Sequence, residues 1–378
     1  MSEFFDASFV PAALARETDD RAWARAMLEV EVALAAAQAE VGLIPASAAD
    51  AISLDPAALG REAARTGTPA EPLVRALRAE VGGDAGGWVH HGATSQDVVD
   101  SAAMLVARRA LAQIEPALAA VAESCAALAE RHRATPMLAR TLLQPALPTT
   151  FGLVAARWLV GVDDARRRLR EVAERRLAVQ LGGAAGTLAV LGADGPAVVS
   201  ALARRLDLGE PTLPWHTLRG PVHALAGALD EAAGAAGKAA LDVVLLAQAE
   251  VGEVAESRDG DRGGSSSLPH KRNPIGSVLA LAGARRAHAA ATALTGTMPQ
   301  EHERSATGAW HSEWAALRDA LALTGGVAAT MADVLDEIEV DAERMRANLE
   351  ASGVPELEAE TYLATAGAFV DRALERRR

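Results

Sequence analysis

The stretch Gly264-Ser265-Ser266-Ser267-Leu268-Pro269-His270-Lys271-Arg272-Asn273-Pro274 concentrates groups that can do chemistry. Gly263, Gly264 and three serines make a pliable, polar segment, and Pro269 and Pro274 fix its exit. Asn273 followed by Pro274 reads as the N-cap and first residue of a helix. A loop anchored on a helix N-terminus suits an anion, because unpaired N–H groups and the helix dipole both favour negative charge. Lys271 and Arg272 add fixed positive charge. A plain Gly/Ser linker is the alternative for the serines alone, and the run from Pro269 to Pro274 argues against it.

Two further loops carry polar groups: Trp88-Val89-His90-His91-Gly92-Ala93-Thr94-Ser95-Gln96-Asp97 and Arg140-Thr141-Leu142-Leu143-Gln144-Pro145. The adjacent His90 and His91 fit either a surface loop or a metal site. Neighbouring side chains point to different sides, and no Asp/Glu set with ligand spacing accompanies them, so no metal is expected. The single cysteine, Cys125, leaves no intramolecular disulfide or Cys-based cluster and reads as a small core residue.

A net charge of −13 argues against nucleic acid as a partner, and 3% aromatic residues argue against base stacking. An anion site in such a chain must gather its positive charge locally, and only two lysines occur, Lys238 and Lys271. Half the residues are apolar and 23% are charged, the balance of a soluble globular protein. The N-terminus lacks the pattern of a signal peptide, and no stretch approaches the ~18–20 uninterrupted apolar residues of a membrane span. A cytoplasmic protein with no membrane partner is expected.

The elements that must position these loops are helical nearly throughout, with no convincing run of alternating strand residues. Pro221 to Glu256 contains no further proline and predicts a helix of ~54 Å at 1.5 Å per residue. Pro148 to Gln180 is similar, and so is Asp97 to Arg131, with Pro116 expected to kink or break it. Leu241, Val244, Leu245, Val251, Val254 and Ala255 form a helical apolar stripe. Ala-rich helices of this length suggest a bundle that also packs against other subunits. The expected fold is all-α: an N-terminal helical domain over 1–97, a long central bundle over 98–340 and a short C-terminal segment over 341–378.

The loop 264–274 resembles the catalytic loop of the fumarase/aspartase superfamily, which includes fumarase, aspartase, argininosuccinate lyase, adenylosuccinate lyase and 3-carboxy-cis,cis-muconate cycloisomerase. Leu268 departs mildly, since the family prefers Met there. The resemblance implies that Ser265 is the acid or base at a carbon next to a carboxylate, with Lys271 and Asn273 as the motif's other functional positions. The carbanion in such a step is held as an aci-carboxylate, which cations and N–H donors must surround. A serine hydroxyl is too weak an acid in water, so Lys271 and loop amides must stabilise its alkoxide. The first loop resembles the family's region that binds substrate carboxylates. This implies substrate contacts for His90, Thr94, Ser95 and Gln96, with His91 standing where an aromatic residue is expected.

The second loop is similar to a Thr-His-x-x-Gln motif, retained here as Thr141 and Gln144, but Leu142 occupies the histidine position. Leucine cannot transfer a proton. Bacterial 3-carboxy-cis,cis-muconate cycloisomerases also lack that histidine, usually carrying tryptophan. Gln180 to Thr187, Met298 to Arg304, and Trp310 to Trp314 resemble the same branch. Arg304 is a candidate carboxylate clamp or the partner of Glu301 or Glu303 in a surface ion pair. His302 and His311 fit structural or site roles equally, and Arg140 fits substrate binding or helix capping.

The resemblance covers most of residues 3–348 and implies a cofactor-free homotetramer with shared active sites and a small di- or tricarboxylate substrate. Most of the family's separate C-terminal domain is expected to be missing. The expected function is lactone formation from 3-carboxy-cis,cis-muconate in aromatic-acid catabolism. The alternatives are a lyase acting on a substituted succinate, such as nitrosuccinate or less fittingly adenylosuccinate, and a non-catalytic homologue.

Overall fold

The computed structural model describes residues 3–51, 66–257, 272–354 and 359–377. Its main helices are α1 (Ala12–Thr18), α2 (Asp20–Val41), α3 (Ala70–Val81), α4 (Ser95–Arg131), α5 (Phe151–Arg175), α6 (Gly195–Leu206), α7 (Gly220–Leu246), α8 (Ile275–Thr295), α9 (Ala309–Asp336), α10 (Ala342–Ala351) and α11 (Ala359–Glu375). The 37 residues of α4 give a rod roughly 55 Å long. It packs against α2, α5 and α9, while α7 packs against α5, α8 and α9. Small residues such as Ala102, Ala107, Ala110, Ala226, Ala232 and Ala240 are fully buried at these contacts, which lets the helix axes approach closely.

Several helix boundaries differ from expectation, among them the helix expected over Pro148 to Gln180, which runs from Phe151 to Arg175. Pro116 does not end α4, which runs on to Arg131. It lies on the exposed face with Ala112, whose carbonyl loses the i→i−4 bond, so water can satisfy that carbonyl. The helix expected to reach Glu256 ends at Leu246, because Gly252 turns the chain at φ +61 and Glu253 N–H returns to the Leu246 carbonyl at 2.9 Å. Pro274, rather than Asn273, is the N-cap of α8. The Gly276 and Ser277 amides at the start of α8 are taken by the Glu256 carboxylate at 3.0 and 2.7 Å.

The second loop is the tip of a β-hairpin, where no strand was expected. β1 (Pro136–Thr141) pairs antiparallel with β2 (Gln144–Thr150), and Thr141 faces Gln144 across the turn. Leu142 and Leu143 form that turn at φ +51 and +64, the mirror-image turn that suits the twist of a hairpin but that leucine rarely adopts. A second small pairing joins β3 (Val254–Ala255) to β4 (Glu339–Val340). α10 packs on β1, and α11 packs on α5 and β2.

Among the described residues only α4 is long and apolar enough to cross a membrane by length and composition. It is instead the core helix of the bundle: Val98, Ala102, Met104, Val106, Ile114, Leu118 and Val121 are all inaccessible. Cys125, on the same helix, is buried and unpaired.

The connections sort the loops between the two ends of the bundle. The first loop lies at the start of α4, where Asp100 meets Arg219 from the start of α7. The hairpin follows the end of α4, where Arg140 meets Glu253 from beyond the end of α7.

Candidate active site

Thr94 is the N-cap of α4 and forms a capping box with Asp97, whose carboxylate accepts the Thr94 N–H at 2.9 Å. Arg304, distant in sequence, donates from its guanidinium to the Thr94 hydroxyl. The Arg304 guanidinium is therefore aimed at the first loop, while the neighbouring Glu301 has partners of its own. The Glu301 carboxylate accepts from the Thr307 hydroxyl and the Ala306 N–H, which hold its pKa down at about 2 and fold the segment carrying Arg304. Ser95 is half-buried beside Thr94 in the first turn of α4.

His90 adopts φ +63 and is half-buried, with its Nδ1 2.6 Å from the fully buried Glu31 carboxylate. Burial works to lower the His90 pKa, but the hydrogen bond and charge of Glu31, with Asp97 behind, outweigh it and hold the imidazole above its ordinary value. His91 instead stacks edge-on against Trp88 with ring centroids 5.1 Å apart. The two histidines thus serve different partners.

Gln96 faces inward. Its amide donates to the His216 carbonyl at 2.8 Å and to Asp100 at 3.2 Å, and it is 1% exposed. A substrate contact was expected there, and the side chain is committed to the core because helical spacing turns position 96 away from positions 94 and 95.

Beneath the loop lie two buried polar clusters that the sequence reading did not single out. Asp97 accepts from the Gly182 and Gly183 amides, each at 2.9 Å, from the Gln180 amide at 3.3 Å and from His216 Nε2 at 2.7 Å. Gly183, at φ +69, must be glycine for a second reason: a Cβ there would sit 2.8 Å from the Gly92 carbonyl. Arg219 forks onto Asp100 at 2.7 and 3.1 Å and onto Glu313 at 3.0 Å, and Trp310 Nε1 donates to Asp100 at 2.9 Å. Burial pushes the Glu313 carboxyl up, against the opposing pull of Arg219. Thr94 at the N-cap and Asp97 three residues on were a legible capping signal. Arg219, Asp100 and Glu313 sit too far apart in sequence to be paired by eye.

The remaining candidates lie at the other end. Thr141 and Gln144 are exposed at the hairpin tip, with Leu142 96% exposed between them. Arg140 neither caps a helix nor stands free: it forms a two-pronged pair with Glu253 at 2.7 and 3.0 Å, and Asn348 adds a third bond to Glu253 at 2.8 Å. Asn273 lines an open cavity of about 600 Å³ with Arg272, Glu256, Glu339, Asp341 and Glu343. Ser265 and Lys271 lie outside the described residues. His302 turns at φ +47 and its carbonyl accepts from the Thr217 hydroxyl at 3.0 Å, and His311 meets the Gly67 carbonyl at 3.0 Å.

Residues 11–288 match the lyase family. The chain is 45% identical over 362 residues to a 3-carboxy-cis,cis-muconate cycloisomerase of Bradyrhizobium diazoefficiens, covering 93% of this chain and 80% of that protein. It is 46% identical over 352 residues to a nitrosuccinate lyase of Streptomyces davaonensis, covering 88% and 74%. The crystal structure of a 3-carboxy-cis,cis-muconate lactonizing enzyme from Pseudomonas putida superposes at a TM-score of 0.86 with 37% identity, covering 100% of this chain and 89% of that one. The chain belongs to the fumarase/aspartase superfamily of lyases.

Its all-α fold is that of the superfamily, with the hairpin as a local addition to the helices. As a superfamily member it presents its candidate groups at two separated places. Thr94, Ser95, His90 and Arg304 gather at the start of α4, and Thr141, Gln144 and Asn273 stand beyond its end. The Arg304 guanidinium and the His90 ring belong to the first place. The charged residues lining the cavity beside Asn273 are Glu256, Glu339, Asp341 and Glu343 with Arg272.

Proposed function

We propose that this enzyme is a 3-carboxy-cis,cis-muconate cycloisomerase. The observation that carries the reading is the Arg304 guanidinium seated on the Thr94 hydroxyl at the N-terminus of α4, in a first loop that also carries His90. A guanidinium, a histidine ring whose pKa is raised by its carboxylate partner and a helix N-terminus suit a substrate with several carboxylates.

In the proposed reaction one substrate carboxylate oxygen attacks a carbon of the substrate's own double bond, forming the lactone C–O bond. The electron pair of that double bond moves to the neighbouring carbon, which lies α to a carboxylate. Arg304, His90, Thr94 and Ser95 hold the carboxylates and stabilise the added negative charge. Ser265 delivers the proton to the carbanion, and Lys271 with Asn273 stabilises the resulting alkoxide. No group has to be protonated as it leaves, which fits Leu142 at the hairpin tip. Gln96 acts from the core, by holding the first turn of α4, rather than by touching substrate. Thr141 and Gln144 bind the far side of the substrate.

We infer further that the site is assembled between copies in a homotetramer. A small tricarboxylate is far shorter than the roughly 55 Å of α4 that separates the two groups of residues. An antiparallel neighbour brings the hairpin tip and Asn273 of one copy to Thr94 and Arg304 of another.

The test is incubation with 3-carboxy-cis,cis-muconate, nitrosuccinate and adenylosuccinate in turn, followed by product NMR. Lactone from the first substrate alone is the expected result. Nitrite release from nitrosuccinate with no lactone would replace this reading with the elimination that Leu142 also permits.

A further inference from the structure

His90 is pinned from three directions. Gln38, on α2, donates to the His91 carbonyl at 2.6 Å, and Arg78, on α3, donates to the Val89 carbonyl at 3.1 Å. Those bonds clamp the backbone on both sides of a residue held at φ +63, an uncommon conformation for a non-glycine residue. The third contact is Glu31, whose Oε1 lies 2.6 Å from His90 Nδ1.

Glu31 itself is poorly explained as a structural group. Its side chain is 0% exposed, and among the described residues Oε2 has no hydrogen-bond partner. A buried carboxylate with a single partner is costly unless that partner carries the compensating charge. Among the described residues, the charged groups that act most on His90 are Glu31 from α2, Asp97 from α4 and Arg78 from α3. Arg78 opposes a cation at His90, and Asp97 is already shared among His216, Gln180 and loop amides. Charge balance around the ring therefore falls mainly to Glu31. With Nδ1–H given to Glu31, Nε2–H is the only other donor the ring has.

We infer that Glu31 is a positioning residue for this reaction: it fixes the His90 ring in one orientation and keeps it cationic, so that Nε2–H is presented to a substrate carboxylate. The assignment rests on the reading of His90 as a substrate contact.

The experiment uses the full chain labelled with ¹⁵N-histidine and follows the His90 ring by NMR from pH 5 to 9, without substrate. In the wild-type protein His90 is expected to be doubly protonated at pH 7, and in Glu31→Gln its titration moves to lower pH. In parallel, the pH profile of kcat/KM for 3-carboxy-cis,cis-muconate is measured. Glu31→Gln is expected to lose about tenfold at pH 8, mostly in KM, and to recover as the pH falls. Glu31→Asp should restore part of the alkaline activity. In a His90→Gln background, Glu31→Gln should have no further effect on kcat/KM, whereas a merely structural Glu31 would still cost activity there. A neutral His90 at pH 7, an unchanged titration in Glu31→Gln, or an added loss in the double variant overturns the proposal. The titration needs no substrate, so it judges the pair separately from the wild-type turnover that judges the substrate assignment.

Discussion

Replacing Asp97 with alanine should unlatch the first loop, and the size of the effect follows from its partners. The carboxylate is 1% exposed and serves five donors: the Thr94, Gly182 and Gly183 amides, His216 Nε2 and the Gln180 amide. At about 1 kcal/mol for each donor left unpaired, Asp97→Ala costs about 5 kcal/mol. A single water filling the vacated space accepts at most two of the five bonds, which brings the cost to about 3 kcal/mol. Either figure is a large part of the roughly 5–15 kcal/mol that stabilises a folded protein. Urea unfolding reads the global loss. Native-state hydrogen exchange at Gly182 and Gly183 reads the local one, where about 3 kcal/mol corresponds to roughly a hundredfold faster exchange. Asp97→Asn keeps one acceptor oxygen and should fall between the wild type and alanine. A loss within about 0.5 kcal/mol, the range of an ordinary surface substitution, with unchanged exchange at both glycines would refute the view of Asp97 as the post that holds Thr94.

Ser265→Ala should lower kcat by about 10²–10⁴-fold, the range expected for a lost acid or base, while circular dichroism shows an unchanged helical fold. Full turnover by that variant assigns the proton to another group. Leu142→Asn combined with Leu143→Gly places the residues preferred at a mirror-image turn, and should stabilise the hairpin by about 1–2 kcal/mol per relieved residue. Amide exchange in 136–150 would register this, and a simultaneous fall in kcat/KM would show that the leucines were kept for the site. The Glu301 carboxyl is held at about 2, below its ordinary 4.5, so its contribution to loop order is complete above pH 4.5 and is lost only as the pH falls through about 2. The Ala306 amide shift should therefore stay constant through pH 4.5, and a transition there contradicts the contact.

Much of this molecule was readable in the chain because its signals are local. Ala-rich runs between prolines announced the long helices, and the Gly/Ser loop ending in Asn273-Pro274 placed a helix start within one residue. The hairpin was hidden for a physical reason. Pro145 and Pro148 interrupt β2, and Leu142-Leu143 offers neither the Asn nor the Gly that marks such a turn. Pro116 misled in the opposite sense, since its cost depends on whether the freed carbonyl faces water, which only packing decides. Arg304 was legible as a cation but not as the partner of Thr94, because nothing in its own segment points 210 residues back. Glu31 sat unnoticed in an apolar helix for the same reason.

The length of α4 has a consequence for how the protein bears mutation. Under the shared-site reading, no chain owns the catalytic apparatus it encodes. A damaged copy does not simply drop out of the population; it is built into its neighbours' sites and lends them its defect. Conversely, two chains crippled at opposite ends of that rod supply each other's missing halves. The unit that is inherited is the chain, while the unit on which selection acts is the particle.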